Sequence, residues 1–326
     1  MPSRDIIVIG GSAGAIAALQ RIFADLPPDL PAAVFVVVHV GQQNSYLPNA
    51  LDRCGPLRVV NAEDGMPVER GSIYLAPPGH HLLLLEDTIR LGRGPHENMC
   101  RPAVDPLFRS AAVSYGPRVI GLVLTGVLND GAAGLAAVRQ CGGVTVVQNP
   151  GDAEAASMPL GALRATDVDY RAPAAELGRS LDRLARQEAG PPMPIPPELG
   201  LEVEIALGRA CNAPILRQIG DPVALSCPTC GGVLSEVRQQ PPLRFRCQVG
   251  HAFTAEVLER EQLGPVDEAL RVALRIIEER ASLADRMAED AHAAARHKSA
   301  AMCEERSKEM RKYAETIRQA LLRSKE

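Results

Sequence analysis

The sequence lacks the extremes of composition that are typical of membrane proteins and of nucleic-acid-binding proteins. Its 326 residues carry a formal net charge of −4, because 35 basic residues nearly balance 39 acidic ones. No apolar run approaches the ~20 residues that cross a bilayer. With no excess of positive charge, we expect no nucleic-acid partner and no membrane insertion. An apolar content of 46% and this length predict a globular chain with room for two domains.

Secretory features are missing as well. The first four residues, Met-Pro-Ser-Arg, run directly into an apolar stretch and leave no room for a signal peptide. Such a chain is expected in the cytoplasm, where thiols stay reduced. Five of the eight cysteines fit this expectation, because they follow no disulfide or metal pattern: Cys54, Cys100, Cys141, Cys211 and Cys303.

The clearest local pattern lies close to the N-terminus. Residues 5–9 end in a branched apolar run that predicts a buried strand, and apolar spacing over residues 15–23 predicts a helix. Between them, residues 10–14 read Gly-Gly-Ser-Ala-Gly and fit the nucleophile elbow G-x-S-x-G. Ser12 lies at its apex, beside the free N–H groups of the helix start. It is therefore a candidate nucleophile.

Two other interpretations fit this stretch. A dinucleotide-binding turn requires G-x-G-x-x-G and an acidic residue near the end of the second strand, whereas the glycines here lie at 10, 11 and 14 and the second strand ends in His39. A structural turn in which Ser12 only caps the helix is the simpler interpretation. Taken alone, the stretch favours the structural turn.

Two more polar residues follow predicted strands. Residues 32–40 complete a βαβ unit, so this strand is parallel to the first and ends in His39. Residues 119–125 predict a later strand, and Asp130 follows it in the sequence Asn-Asp-Gly. Each residue has an ordinary interpretation, as a polar strand end or as turn chemistry. Because parallel strands end at one sheet edge, Ser12, His39 and Asp130 together supply a nucleophile, a base and an orienting carboxylate.

Strands and helices alternate through the first half of the chain. This alternation predicts an α/β fold with a doubly wound, mainly parallel, Rossmann-like sheet. The order Ser, His, Asp differs from the Ser, Asp, His order of α/β-hydrolases, so another sheet topology is expected. The remaining predicted elements are strands at 57–60, 71–76 and 143–148, a hairpin at 80–85 and 88–91, and helices at 101–113, 132–139 and 174–185.

Five motifs in this half, taken in order, resemble the catalytic domain of CheB, the chemotaxis protein-glutamate methylesterase family. They are residues 10–14, the strand ending in His39, Tyr-Leu-Ala-Pro-Pro-Gly-His at 74–80, Arg-Pro-Ala-Val-Asp at 101–105 and Leu-Thr-Gly-Val-Leu-Asn-Asp-Gly at 124–131. The resemblance covers residues 4–187.

It implies hydrolysis of glutamate methyl esters on a methylated chemoreceptor or receptor-like protein, and often glutamine deamidation. Ser12 is then the nucleophile, His39 the base and Asp130 the orienting group. The backbone N–H groups of Ala13 and Val127 are expected to line the oxyanion site, and no cofactor is expected for catalysis.

The chain departs from the family pattern around the serine and the aspartate. Residues 12–15 read Ser-Ala-Gly-Ala where Ser-Thr-Gly-Gly is usual, and residues 126–128 read Gly-Val-Leu where Gly-Met-Gly is usual. Many members carry a phosphorylated receiver domain, which we do not expect here because the first strand starts at residue 5. The alternative function is a signalling scaffold that keeps the fold without receptor esterase activity.

The second half has its own organisation. Residues 188–200 are proline-rich and predict a stiff linker between a catalytic domain at 1–187 and a module at 201–255. In that module Cys227-x-x-Cys230 precedes, by sixteen residues, Cys247 and then His251. Two such ligand pairs resemble a zinc ribbon with a structural Cys₃His site. A reduced or redox-active cysteine cluster is the alternative.

The C-terminal part is predicted to be helical over 256–326. Residues 266–326 contain neither glycine nor proline, and apolar residues recur every three or four positions. One straight helix would span ~90 Å, and a hairpin bent near residues 296–298 is equally compatible with the pattern. The apolar stripe either packs on its own domain or pairs with a helical signalling partner.

Overall fold

The computed structural model describes residues 3–39, 47–239 and 241–323, which fall into two compact units, 1–258 and 259–326. The first unit is built on a seven-stranded sheet. Its strands are β1 (Ile6–Gly11), β2 (Ala33–Val38), β3 (Arg58–Asn61), β4 (Ser72–Leu75), β7 (Val119–Val123), β8 (Val144–Gln148) and β9 (Tyr170–Ala172). The spatial order is β3-β4-β2-β1-β7-β8-β9 and every pairing is parallel. The predicted sheet is confirmed, although Val40, at the end of the predicted second strand, lies outside the described residues.

Central strands of this sheet are buried on both faces. Every residue of β1 and β2 is buried, which explains why they read as continuous apolar runs rather than as alternating ones. Helices cover the two faces in separate layers. One layer holds α1 (Ala15–Asp25), α2 (Leu47–Asp52) and α6 (Ala174–Ala185), and the other holds α3 (Val104–Tyr115), α4 (Ala132–Gln140) and α5 (Ser157–Ala165). The short elements α2, α5 and β9 were not predicted, because they carry no clear periodicity.

A hairpin extends the second helical layer. β5 (His81–Leu85) and β6 (Thr88–Gly92) pair antiparallel, as predicted. The two residues between them, Glu86 and Asp87, have φ values of 49° and 56°, the conformation that two-residue hairpin turns require. Helix α3 packs against β5, so the hairpin and the helix belong to the same layer on one face of the sheet.

Residues after 187 continue the first unit. Helices α7 (Pro197–Leu207) and α8 (Ala213–Ile219) lead into an antiparallel sheet, which we call the C-terminal sheet. Its strands are β10 (Gly220–Ser226), β11 (Val233–Val237), β12 (Arg244–Cys247) and β13 (Ala252–Thr254). The compact units divide after residue 258 and not at the predicted linker, and α7 begins inside that linker. The reason is burial: Leu199 belongs to the same core cluster as α3.

The second unit is a helical hairpin. Helix α9 (Ala255–Ala293) starts in the first unit, and α10 (His297–Arg323) follows it after a turn in which Ala295 has a φ of 53°. Ion pairs join the two helices at Asp285–Arg311 and Glu278–Arg318. Of the two predicted alternatives, the hairpin is therefore the one formed. Across the described ranges, no helix combines the length and the apolarity needed to cross a membrane.

Candidate active site

Ser12 directly follows β1 in the tight turn that leads into α1. Its N–H donates to the carbonyl of Thr125 at 2.9 Å, which fixes the turn against the end of β7. Gly14 has a φ of 77°, a conformation that favours glycine. A Cβ added to Gly126 would lie 2.9 Å from the Cβ of Ser12, so only glycine leaves room beside the serine. The turn therefore holds Ser12 half-buried at the carboxyl edge of the sheet.

His39 and Asp130 are hydrogen-bonded to each other. His39 Nε2 donates to Asp130 Oδ2 at 2.9 Å, so the carboxylate engages one ring nitrogen and leaves Nδ1 for other partners. Asp130 lies just before α4 and is 3% exposed. Its Oδ2 also accepts from the N–H of Val104 at 2.6 Å, and its Oδ1 accepts from Asn98 Nδ2 at 2.9 Å. The structure thus brings together two of the three predicted residues in a well-anchored imidazole–carboxylate pair.

Ser12 and His39 are neighbours in the sheet without a side-chain bond. Gly11 pairs with Val38 across β1 and β2, and the N–H of His39 donates to the carbonyl of Gly11 at 3.2 Å. No hydrogen bond joins the Ser12 hydroxyl to the imidazole among the residues described. Catalytic hydrogen bonds are often loose until substrate binds. The register places Ser12 and His39 next to each other, one residue beyond the ends of β1 and β2.

The surroundings of this pair favour the ionised form of both partners. Burial lowers the pKa of His39, but the hydrogen bond and charge of Asp130, together with the neighbouring Cys100, outweigh it and raise that pKa to about 10. Burial raises the pKa of Asp130, but bonds from His39, Val104 and Asn98 bring it down to about 2. An imidazole that holds its proton this firmly must lose it before it can act as a base.

A second buried carboxylate, Asp105, lies next to Asp130. The side-chain amide of Asn98 donates to both, at 3.1 Å to Asp105 Oδ2 and 2.9 Å to Asp130 Oδ1. Burial and the charge of Asp130 raise the pKa of Asp105 to about 7, although the N–H of Gly134 donates to it at 2.6 Å. Sequence reasoning missed Asn98 entirely and quoted Asp105 only within a motif. The one local signal was the proximity of Asp105 to Pro102 at a helix start.

Two backbone N–H groups near Ser12 are unused. Within the described part of the chain, the N–H groups of Ala13 and Val127 donate to no protein acceptor. The peptide after Ser12 is held in place because Thr125 Oγ1 donates to the carbonyl of Ala13 at 2.9 Å. Ala13 and Val127 are both exposed, Val127 to 47%. Free, fixed donors at this edge are what the stabilisation of an oxyanion requires.

The four predicted metal ligands come together in the C-terminal sheet. The ligand atoms of Cys227, Cys230, Cys247 and His251 all lie within 4.8 Å of one another. Sγ of Cys230 lies 3.7 Å from Sγ of Cys247, which is 3.5 Å from Nδ1 of His251. Gly231, with a φ of 71°, turns the chain after the first pair. Three thiols and an imidazole at these separations suit a tetrahedral zinc ion.

Comparison with known proteins points to one family. Residues 7–181 match the family model of the CheB methylesterase. A putative protein-glutamate methylesterase/protein-glutamine glutaminase of Leptospira interrogans is 38% identical over 168 residues, which is 51% of this chain and 87% of that protein. The protein-glutamate methylesterase/protein-glutamine glutaminase 2 of Anaeromyxobacter dehalogenans is 38% identical over 56% of this chain and 54% of its own length.

A solved structure shows the same similarity in three dimensions. The crystal structure of the Thermotoga maritima CheB methylesterase catalytic domain aligns with a TM-score of 0.53 and 32% identity, over 56% of this chain and 99% of that domain. The residues after 181, including the C-terminal sheet, lie outside the family match. Because that match takes in more than half of the chain together with Ser12, His39 and Asp130, this protein belongs to the CheB methylesterase family.

Proposed function

We propose that this chain is a serine esterase that hydrolyses methyl esters of glutamate side chains on a chemoreceptor or receptor-like protein. The observation that carries the proposal is the 2.9 Å bond between His39 and Asp130 at the sheet edge where Ser12 lies. The relatives are named for two activities, methylesterase and glutaminase. Glutamine side chains are therefore the second substrate class to test.

The mechanism assigns one role to each residue. His39 takes the proton of the Ser12 hydroxyl through Nδ1, and Ser12 Oγ attacks the ester carbonyl. The N–H groups of Ala13 and Val127 hold the oxyanion. Methanol leaves with the proton from His39, and a water molecule, deprotonated by the same imidazole, hydrolyses the acyl-enzyme. Asp130 orients the imidazole and stabilises its charged form throughout.

Methanol release from a methylated receptor fragment tests this assignment. Ser12→Ala should lower kcat by about 10⁴ to 10⁶ while the fold survives. Ser180→Ala, a half-buried serine on α6, is the matched control and should turn over at the wild-type rate. Near-normal turnover by Ser12→Ala would remove the nucleophile assignment.

The rival is a signalling scaffold without esterase activity. The unusual Ser-Ala-Gly-Ala at residues 12–15 favours it, whereas the anchored His39–Asp130 pair favours the esterase. A fluorophosphonate labels an activated serine but not an inactive one, so covalent labelling that is lost in Ser12→Ala supports the esterase. An unlabelled wild-type protein supports the scaffold.

The metal site, the location and the helical segment complete the proposal. Cys227, Cys230, Cys247 and His251 hold one structural zinc ion, and since all four ligands are protein side chains, the site is closed and takes no part in catalysis. All eight cysteines are unpaired, which supports a cytoplasmic location. The helical extension at 256–326 then attaches the esterase to a helical signalling partner through residues 266–326.

A further inference from the structure

Asn98 lies at the centre of a small buried network beside the His39–Asp130 pair. Its side chain is 6% exposed and belongs to a turn at residues 97–100. Its amide nitrogen donates to Asp130 and Asp105, as described above, and its amide oxygen accepts from the N–H of Thr254 at 3.0 Å. Both ends of this one side chain are therefore engaged, the nitrogen by two carboxylates and the oxygen by the C-terminal sheet.

Thr254 contacts the same region a second time. It is the last residue of β13 and is fully buried. Its hydroxyl donates to Asn129 Oδ1 at 2.6 Å, and Asn129 Nδ2 in turn donates to Glu256 Oε2 at 2.7 Å. Asn129 immediately precedes Asp130. Thr254 thus holds Asp130 by two routes, through Asn98 with its N–H and through Asn129 with its hydroxyl.

Leu128 adds an apolar contact in the same loop. It has a φ of 65°, a conformation that residues with side chains adopt only when the surroundings enforce it. Its side chain packs against the buried core of the C-terminal sheet, which includes Leu234, Phe245 and Phe253. Three consecutive residues, 128–130, are therefore held in place by the C-terminal sheet, either directly or through Asn98.

The turn that carries Asn98 is itself anchored from the C-terminal sheet. The N–H of Asn98 donates to the carbonyl of Ala252 at 2.8 Å. The residue before it, Glu97, accepts from Arg246 of β12 at 2.9 Å and from Arg109 of α3 at 2.5 Å. Glu97, Arg109 and Arg246 are all fully or nearly fully buried. Strands β12 and β13 therefore fix the position of Asn98 relative to the α/β sheet.

We infer that the C-terminal sheet completes the active-site framework, with Asn98 and Thr254 as positioning residues for Asp130. Thr254 lies outside the region that matches the family, whereas Asp130 lies inside it. The inference rests on the proposed role of Asp130 as the group that orients His39. Without the Asn98 amide, Asp130 Oδ1 keeps only the longer bond from the N–H of Asp105, at 3.3 Å, and no side-chain donor bridges the two carboxylates. Their mutual repulsion then favours turning Asp130 away from the imidazole.

Steady-state kinetics of the full chain provide the first test. Asn98→Ala should lower kcat by about 10- to 100-fold on a methylated receptor fragment, with KM changed by less than about threefold, because a misplaced orienting group affects the chemical step. Thr254→Val, which removes the hydroxyl and keeps the shape, should lower kcat in the same way, and Thr254→Ser should restore most of it. Thr316→Val, an exposed threonine of α10, is the neutral control.

An activity-independent readout separates this inference from the proposed function. The ring proton shared by His39 and Asp130 should give a downfield ¹H NMR signal that is present in wild type and in Ser12→Ala. It should be shifted or lost in Asn98→Ala and Thr254→Val, with Thr254→Ser resembling wild type. This holds whether or not the chain hydrolyses methyl esters, so an inactive wild type would contradict only the proposed function.

Two outcomes would overturn the inference. One is a folded Thr254→Val protein, judged by its thermal unfolding, with wild-type kcat and an unchanged downfield signal. The other is an equal loss of kcat in Thr254→Val and Thr254→Ser, since the hydroxyl would then be irrelevant. Should Asn98→Ala fail to fold, the valine and serine pair at position 254 still decides the matter.

Discussion

Arg246 of β12 donates to Glu97 at 2.9 Å although the two residues are 149 positions apart in the chain. This contact belongs to a buried ionic cluster that joins the turn at 97–100, α3, α7 and the C-terminal sheet. Its members are Glu97, Arg109, Glu202, Arg244 and Arg246. Three cations face two carboxylates, so the removal of either carboxylate leaves buried positive charge without compensation.

Stability should therefore depend strongly on Glu202. It is fully buried and accepts from both Arg244, at 2.8 Å, and Arg246, at 2.7 Å. Glu202→Gln should lower the free energy of unfolding by about 3–5 kcal/mol, measured by urea denaturation, because it breaks a buried ion pair from one side. Glu204→Gln, two residues along α7, removes a more exposed partner of Arg209 and should cost at most about 1 kcal/mol. Equal losses in the two variants would contradict the importance of the buried cluster.

Truncation should reveal which part of the chain the esterase needs. A chain ending at residue 187 loses Leu199, Glu202 and the C-terminal sheet, so the face of α3 that packs against α7 becomes exposed. This chain should be insoluble, or inactive on a small ester. A chain ending at residue 264 keeps the whole first compact unit and should hydrolyse that ester like the full chain. The two shortened chains are compared by their soluble yield and by their rate of methanol release. A fully active 1–187 fragment would contradict this expectation.

The helical hairpin should matter only for large substrates. If residues 266–326 attach the esterase to receptor assemblies, the chain ending at residue 264 should show a raised apparent KM on those assemblies with an unchanged kcat on a small ester. Equal KM values for both chains on intact assemblies would remove the attachment role. A shorter chain that is faster on both substrates would indicate that the hairpin inhibits the site.

The pH dependence should report the charge state of His39. The base must be neutral, so kcat/KM should rise with pH through the pKa of His39. Since Asp130 and Cys100 raise that pKa above the ordinary value of 6.5, activity should still be increasing above neutral pH. Cys100→Ala removes one of the two causes and should move the rising limb to lower pH. Cys54→Ala, at a remote thiol bonded to Ala50, should leave the limb in place, and an unmoved limb in Cys100→Ala would exclude the thiol as a cause.

Zinc content and thermal stability should depend on the four metal ligands. Elemental analysis of protein purified without chelator should find about one zinc per chain, as a closed Cys₃His site predicts. Cys247→Ser should lose the metal and lower the midpoint of thermal unfolding, because metal binding contributes folding free energy. Cys303→Ser, in α10, is the matched control and should keep the metal and the wild-type unfolding midpoint. A wild-type protein without zinc, or an unchanged unfolding midpoint in Cys247→Ser, would contradict a structural zinc site.

Local pattern by itself determined most strands of the sheet and the placement of its functional groups. Branched apolar runs predict β1, β2 and β7, and the glycines at 10, 11 and 14 predict the turn at Ser12. Ser12, His39 and Asp130 each follow a strand, and parallel strands end at one edge. Their proximity was therefore predictable, and the spacing of Cys227, Cys230, Cys247 and His251 predicted their cluster in the same local way.

Only the tertiary structure decided what surrounds these groups. Asn98 contacts Thr254 across 156 positions of sequence, and such a pairing leaves no periodicity or spacing to read. The proline-rich stretch at 188–200 shows the same limit. Composition predicts a linker there, but α7 begins inside it, and the burial of Leu199 and the ion pairing of Glu202 place that helix in the core. Local sequence specifies strands, turns and closely spaced metal-ligand pairs. Buried charges, by contrast, are compensated by partners from distant elements, which only the folded chain brings together.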